Sequence, residues 1–172
     1  MMNRRRSLMM AEQDGPLAVY YRGTVATSAG IIEKRGYNTY GTANVEADHL
    51  YFSCRRTTTT NCCGALATTM AIDLSKYSRI KIVGSNTGTA LLPSNGEFRL
   101  VLADNIVNGS TLADAYGSST EHIRASITNT GNYEYLLEIP DSRKKRQYIG
   151  LYAEEWTQQK TLIMSVYEIW LE

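Results

Sequence analysis

The chain has 172 residues, of which 43% are hydrophobic and 20% are charged. A chain of this length forms one domain whose core needs neither a metal nor disulfides. The formal net charge of +1 excludes a general nucleic-acid binder, which needs a dominant basic face. The three cysteines, Cys54, Cys62 and Cys63, lack C-x-x-C spacing. We therefore expect reduced thiols and no metal knuckle.

Residues 1–15 are predicted to form a basic arm in front of a domain at residues 16–172. The arm places three arginines beside an apolar patch, in the order Arg4, Arg5, Arg6, Leu8, Met9 and Met10. A helix this short is marginal alone, and cations at its start oppose the helix dipole. We therefore predict an assembly anchor that packs against another subunit, with DNA contact by the arginines as the alternative. The apolar run is too short for a signal peptide, so export by that route is not expected.

From residue 17 onward, apolar and polar residues alternate with a period of two, which predicts strands. The alternation is clearest in residues 17–22, 97–102, 122–127 and 133–139. Shorter candidates are residues 49–54, 65–72, 79–83 and 147–153. The final stretch, Thr161–Leu171, has apolar residues at both odd and even positions, as in a central strand covered on both sides. No stretch approaches the length of a membrane span.

About nine strands with turn signals between them predict an all-β fold, an antiparallel β-sandwich. The one interior helix candidate is residues 110–116. Two similar corners recur, in which an apolar strand ends at Asp73 or at Asp141 and the aspartate caps one turn. We expect these corners to carry the chain from one sheet to the other.

The sequence contains no catalytic or phosphate-binding motif. Neither His49 nor His122 has a nucleophile or a carboxylate at the spacing of a known catalytic motif. A glycosidase pair on one rim would have to come from Asp104, Asp114 and Glu121. Asp104 and Asn105 with Asn108 and Gly109 could also ligate calcium through oxygens, although tight turns favour the same residues. We expect a non-enzymatic protein with no cofactor and no metal.

Aromatic residues in polar segments are the candidate binding groups. Residues 33–48 are predicted to be a long rim loop, and residues 154–160 a second loop. Rings in such loops stack on the apolar face of a sugar while amides bind its hydroxyls. The candidate glycan-binding residues are Tyr37, Asn38, Tyr40 and Trp156. The alternative is that these rings pack the loops onto the sandwich or onto a neighbouring subunit.

The densest charge cluster is a basic corner formed by Arg143, Lys144, Lys145 and Arg146. A cluster of four cations can bind nucleic acid or an anionic polysaccharide. The alternative, which we favour, is a solvated corner between two strands.

Four segments of the chain resemble minor structural proteins of tailed bacteriophages and prophages. They are NRRRSLM at residues 3–9, IDLSKYS at 72–78, YIGL at 148–151 and VYEIWL at 166–171. The resemblance implies a carbohydrate-binding-like jelly roll. It also implies a virion component (tail, fibre or head decoration) that assembles in the host cytoplasm.

The partners implied by this resemblance are other virion proteins, further copies of the chain and a host-surface glycan. Nucleic acid and membrane are not expected as partners. The resemblance places no binding site residue by residue. The alternative function is a stand-alone glycan-binding β-sandwich module.

Overall fold

The computed structural model describes residues 15–37, 41–55, 62–105, 120–126 and 130–172. The described residues form two single turns of 3₁₀ helix, at Thr27–Ala29 and Asp141–Arg143, and thirteen strands. In chain order the strands are β1 Leu17–Tyr21, β2 Thr24–Val25, β3 Ile32–Tyr37, β4 Gly41–Val45, β5 Leu50–Arg55, β6 Cys62–Thr68, β7 Ile72–Asp73, β8 Arg79–Asn86, β9 Gly96–Ala103, β10 Thr120–Ala125, β11 Gly131–Glu138, β12 Arg146–Glu155 and β13 Thr161–Leu171. Residues 1–14 of the arm and the helix candidate at 110–116 lie outside the described residues.

The strands form two antiparallel sheets that pack face to face. Sheet A has the order β11–β8–β13–β1–β2, with β5 beside the first half of β13 and β4 beside β5. Sheet B has the order β10–β9–β12–β6–β3, with β7 beside the start of β12. Phe52 of sheet A and Phe98 of sheet B meet edge to face between them, with ring centroids 5.8 Å apart. The predicted antiparallel sandwich is therefore confirmed, and β13 is central in sheet A.

The rim loop predicted at residues 33–48 was wrong, because most of it forms β3 and β4. These strands belong to different sheets, β3 pairing with β6 and β4 with β5. Two features conceal them in the sequence. A register shift between Lys34 and Gly36 breaks the alternation of β3. The inward position of β4 at Ala43 is small, and a Cβ at Gly41 would overlap the backbone of Cys63.

The prediction that β13 is covered on both faces was also wrong. Leu162, Met164 and Val166 point into the core, and so do Ile169 and Leu171. These two sets are out of phase because the pairing with β8 shifts between Val166 and Glu168. Such a bulge inserts one residue into a strand. The side chains between the core positions are half-buried, so the outer face of β13 is open.

Burial in β1 and β9 also departs from the predicted alternation. In β1 a register shift after Ala18 buries both Val19 and Tyr20 and leaves Tyr21 45% exposed. In β9 all eight residues are buried, because Val101 joins a second buried cluster on the outer face and Glu97 pairs with Arg99 there.

Both predicted corners cross between the sheets, from β7 to β8 and from β11 to β12. Asp73 caps its corner as expected, since its Oδ1 accepts a hydrogen bond of 2.9 Å from the Ser75 N–H. Asp141 does not, because Pro140 occupies the cap position and no side-chain cap is made.

Candidate functional site

The outer face of sheet A carries five ring side chains, which we call the aromatic strip: Tyr21, His49, Tyr51, Tyr167 and Trp170. Two of them stand on the outer side of β13, and Tyr21 and Tyr51 come from the strands on its flank. The bulge in β13 places Tyr167 and Glu168 on this side together. The strip follows β13 for roughly 15 Å, from the level of Ser165 to Trp170.

One end of the strip is a ring pair held by a carboxylate. Tyr21 and Trp170 meet edge to face, with centroids 5.9 Å apart. The indole Nε1–H of Trp170 donates to Glu168 Oε2 at 2.9 Å. This bond fixes the plane of the indole. The Trp170 side chain is only partly buried, so part of the indole surface is open to solvent. An aromatic ring of this kind is a platform for an apolar surface.

The other end of the strip is built around His49. Its ring lies 6.1 Å from Tyr51 and 6.0 Å from Tyr167. Asp48 Oδ1 is 2.7 Å from His49 Nδ1, and this hydrogen bond lowers the pKa of the Asp48 carboxyl. The Tyr167 hydroxyl is 3.1 Å from Ser85 Oγ. The rings are therefore fixed by polar contacts at their edges.

The middle of the strip is polar and nearly charge-balanced. Arg22 Nε lies 3.6 Å from Glu168 Oε1, and its guanidinium carbon lies 5.8 Å from the centre of the Tyr167 ring. At the Trp170 end, Lys81, the cross-strand partner of Trp170, has its Nζ 3.1 Å from Glu172 Oε1. Ring surfaces that alternate with hydrogen-bonding groups match a ligand with apolar faces and a polar rim, which is the chemistry of a sugar.

The outer face of sheet B is different, because it carries a charged cluster with Glu97 and Arg99 buried at its centre. Glu97 pairs with Arg99, and Arg124 Nε reaches Glu97 Oε2 at 3.1 Å. The Arg99 guanidinium lies 5.4 Å from the Tyr152 ring, whose hydroxyl donates to Glu154 Oε2 at 2.8 Å. Burial raises the pKa of the Tyr152 hydroxyl far above its usual range, and Glu154 adds to the shift, so the phenol stays a donor. Because the centre of this cluster is buried and its charges are paired with one another, we place the candidate site on sheet A.

Comparison with solved structures identifies the fold. CBM29_1, a family 29 carbohydrate-binding module from Piromyces equi, matches with a TM-score of 0.51 at 12% identity, over 91% of this chain and 89% of that one. CBM27-1 of Caldicellulosiruptor saccharolyticus, solved with mannohexaose, gives 0.50 at 10% identity, over 92% and 97%. The agarase AgWH50C gives 0.52 at 8% identity, but this chain spans only 24% of it. The fold is the jelly roll of carbohydrate-binding modules.

The other comparisons found no relatives, since no family model and no curated protein matches the chain. Nothing in the matches indicates a bacteriophage origin. These likenesses show the fold, and both the virion role and its glycan-binding alternative stay predictions.

The structure describes only part of the predicted glycan-binding set. Tyr37 is the last residue of β3 and pairs with Gly64 of β6, which in turn pairs with Ala153 of β12. The side chain of Tyr37 is outside the described part. Asn38 and Tyr40 are outside it altogether. Trp156 follows β12 at the same end of sheet B, is half-buried, and donates its backbone N–H to Asn95 O at 3.0 Å. The four-residue platform stays a prediction, and the aromatic strip lies on the other sheet.

The four cations of the basic corner are paired with groups of the same chain rather than only solvated. Arg143 is buried, with its Nη1 3.5 Å from Asp104 Oδ1, and Lys145 Nζ reaches the same oxygen at 3.0 Å. Lys144 pairs with Asp141 at 2.7 Å, and Arg146 donates to the Ala71 carbonyl. The predicted solvated corner was therefore wrong for Arg143. Partners within the chain occupy all four cations, which disfavours anion binding here.

Asp104 was a candidate for both a glycosidase pair and a calcium site. The hydrogen bond from Gln147, followed by that from Lys145, lowers the pKa of its carboxyl. A catalytic acid needs the opposite shift, and a calcium ligand needs oxygens that face no cations. Within the described residues no group of His, Cys, Asp or Glu is placed to hold a metal. In the same residues, no helix is long and apolar enough to span a bilayer.

The sequence contained a signal for the strip that the strand prediction missed. Apolar residues 162, 164 and 166 are followed by 169 and 171, a phase change of one residue. That change marks a bulge, and a bulge places two consecutive residues on one side of a strand. Tyr167 and Glu168 are those residues. The neighbouring rings on β1 and β5 could not be placed without the strand order.

Proposed function

We propose that the chain is a non-catalytic glycan-binding β-sandwich module and that the aromatic strip is its binding surface. The observation that carries this proposal is the strip itself, five part-exposed rings with Arg22 and Glu168 between them. The jelly-roll fold supports it, because modules with this fold bind carbohydrate. The same surface would serve a module that stands alone or one carried on a larger assembly such as a virion.

The ligand lies along β13 in this proposal, with sugar faces on Trp170 and Tyr167. Each ring contributes through dispersion and through displacement of water from apolar surface. The hydroxyls at the rim of the sugar bond to groups between the rings. Because the strip is roughly 15 Å long, affinity should rise with oligosaccharide length until the strip is filled.

The proposal is tested by screening neutral and acidic polysaccharides on an array and titrating the best oligosaccharide by calorimetry. Trp170→Ala and Tyr167→Ala should each weaken binding by tenfold or more, which is about 1.4 kcal/mol. Both side chains are half-buried, so Tm should fall somewhat, and affinity is measured well below the unfolding transition of each variant. Tyr148→Ala is the matched control, since Tyr148 is half-buried on sheet B.

Two results would contradict the proposal. The first is a wild-type protein that binds no polysaccharide. The second is unchanged affinity in the Trp170 and Tyr167 variants. Loss of binding in Trp156→Ala alone would instead place the site at the end of sheet B, where the sequence predicted it.

A further inference from the structure

The hairpin between β1 and β2 turns through two residues with left-handed backbone. Arg22 has φ +43° and Gly23 has φ +87°. Two-residue hairpins of the type I′ class require positive φ at both loop positions, and Asn-Gly is the preferred pair. Gly23 adopts its conformation without cost, and a Cβ there would overlap the Ala47 carbonyl. Arg22 does incur a cost, because its Cβ crowds the backbone in this region.

The side chain of Arg22 lies at the middle of the aromatic strip. Its backbone N–H donates to the Tyr167 carbonyl at 2.9 Å, which docks the hairpin tip on the bulge of β13. Its guanidinium lies 5.8 Å from the Tyr167 ring centre and pairs with Glu168. The side chain is still 58% exposed. An exposed ion pair and an exposed cation–π contact each contribute at most about 1 kcal/mol, which does not exceed the cost of the strained backbone.

We propose that Arg22 is a ligand-contacting specificity residue, retained in a strained turn because its guanidinium faces the bound glycan. The inference rests on the proposed function of the strip. Arg22 Nε is the atom nearest Glu168, and Nη1 and Nη2 carry four further N–H donors in a planar fork. Such a fork matches two adjacent sugar hydroxyls beside the Tyr167 ring. Glu168 offsets the positive charge, which favours an uncharged sugar over a uronate.

The test is to replace Arg22 by the residue that the turn prefers. Arg22→Asn should raise Tm by about 2 °C, because asparagine tolerates the left-handed region. The same variant should bind the best array oligosaccharide at least fivefold more weakly. If Arg22 served only to stabilise the fold, Arg22→Asn would lower Tm instead of raising it. The matched control is Arg79→Asn, which removes an arginine paired with Glu172 on the same sheet face but within a regular strand. It should leave binding unchanged and should not raise Tm.

The outcomes separate this inference from the proposed function. If the wild type binds glycan and Arg22→Asn binds equally well, the role of Arg22 is overturned and the function of the strip stands. A fall in Tm in Arg22→Asn overturns the strained-turn basis. If the wild type binds no glycan, both proposals fail together. A rise in Tm with a loss of affinity supports the inference, and selective loss of a uronate ligand would contradict its preference for uncharged sugars.

Discussion

Gly84 in the middle of β8 shows why a central strand contains a residue with low strand propensity. The Tyr133 side chain crosses over it, and its hydroxyl donates to the Ser165 carbonyl at 3.2 Å. A Cβ at Gly84 would overlap both that hydroxyl and that carbonyl. Tyr133 also packs against Tyr135, with centroids 4.8 Å apart. The glycine therefore creates the space for a tyrosine that ties β11 to β13 across β8.

We expect Gly84→Ala to destabilise the protein by about 1–3 kcal/mol, because the overlap involves backbone and one strand must shift. Urea denaturation measures the change. Gly15→Ala is the control, since nothing lies within 4 Å of the added methyl group and its stability should stay within about 0.5 kcal/mol. Equal stability of the two variants would show that the strands adjust freely at Gly84.

At the scale of elements, the corner between β11 and β12 is held by charge. Asp104, just past β9, accepts from Gln147 and Lys145 and faces the buried Arg143. These contacts lower the pKa of the Asp104 carboxyl. A lowered folded-state pKa gives stability that is present above the unfolded value, roughly 3.9, and is lost as pH falls through the folded value.

Asp104→Asn should therefore lower the free energy of unfolding by about 2 kcal/mol at neutral pH, because Arg143 loses the negative charge that compensates it. The difference from wild type should disappear at a pH below the folded pKa, where the wild-type carboxyl is also neutral. Urea denaturation at pH 7 and at the lowest pH at which the wild type stays folded measures both values. Asp141→Asn, whose side chain is 94% exposed, should change stability little at either pH. A cost for Asp104→Asn that is the same at both pH values would contradict the electrostatic origin.

The nine strands predicted from the sequence were found because each has a clear apolar face. β11 shows the alternation without interruption, since residues 133, 135 and 137 point inward and 134, 136 and 138 outward. The missed strands have weak patterns for physical reasons. β2 and β7 have two residues each, and β3 contains a register shift. In β4 the inward positions are a glycine and an alanine, because the backbone of β6 in the facing sheet approaches closely there.

At the scale of the molecule, the two sheets present different outer surfaces. Sheet B buries Glu97 and Arg99 on its outer face, and sheet A leaves its rings partly accessible. This asymmetry could not be predicted from the sequence, because it depends on which strands are neighbours. Tyr21, Tyr51 and Trp170 are far apart in the chain and meet only through the order β5 and β1 beside β13. The sequence predicted ring-based glycan contact in two loops, whereas the strip that we propose as the binding surface lies on sheet A.

The N-terminal arm remains a prediction at this scale. We expect deletion of residues 1–14 to leave Tm within about 2 °C of wild type, because β1 begins at Leu17 and the described core starts with β1. If the arm is the assembly anchor, the truncated protein should lose its oligomeric state in light scattering. Replacing Arg4, Arg5 and Arg6 by alanine should weaken that state without abolishing it. A truncated protein that assembles as the full chain does would contradict the anchor.

The extra residue in β13 has an evolutionary consequence. Without Tyr167, residues 162, 164, 166, 169 and 171 would fall into regular alternation, and each would still point into the core. The interior of the sandwich therefore does not depend on that residue. A single in-frame codon could add or remove the middle of the aromatic strip while the buried side chains keep their places. Gain or loss of this surface within a lineage can then proceed in one mutational step, with no repacking of the interior.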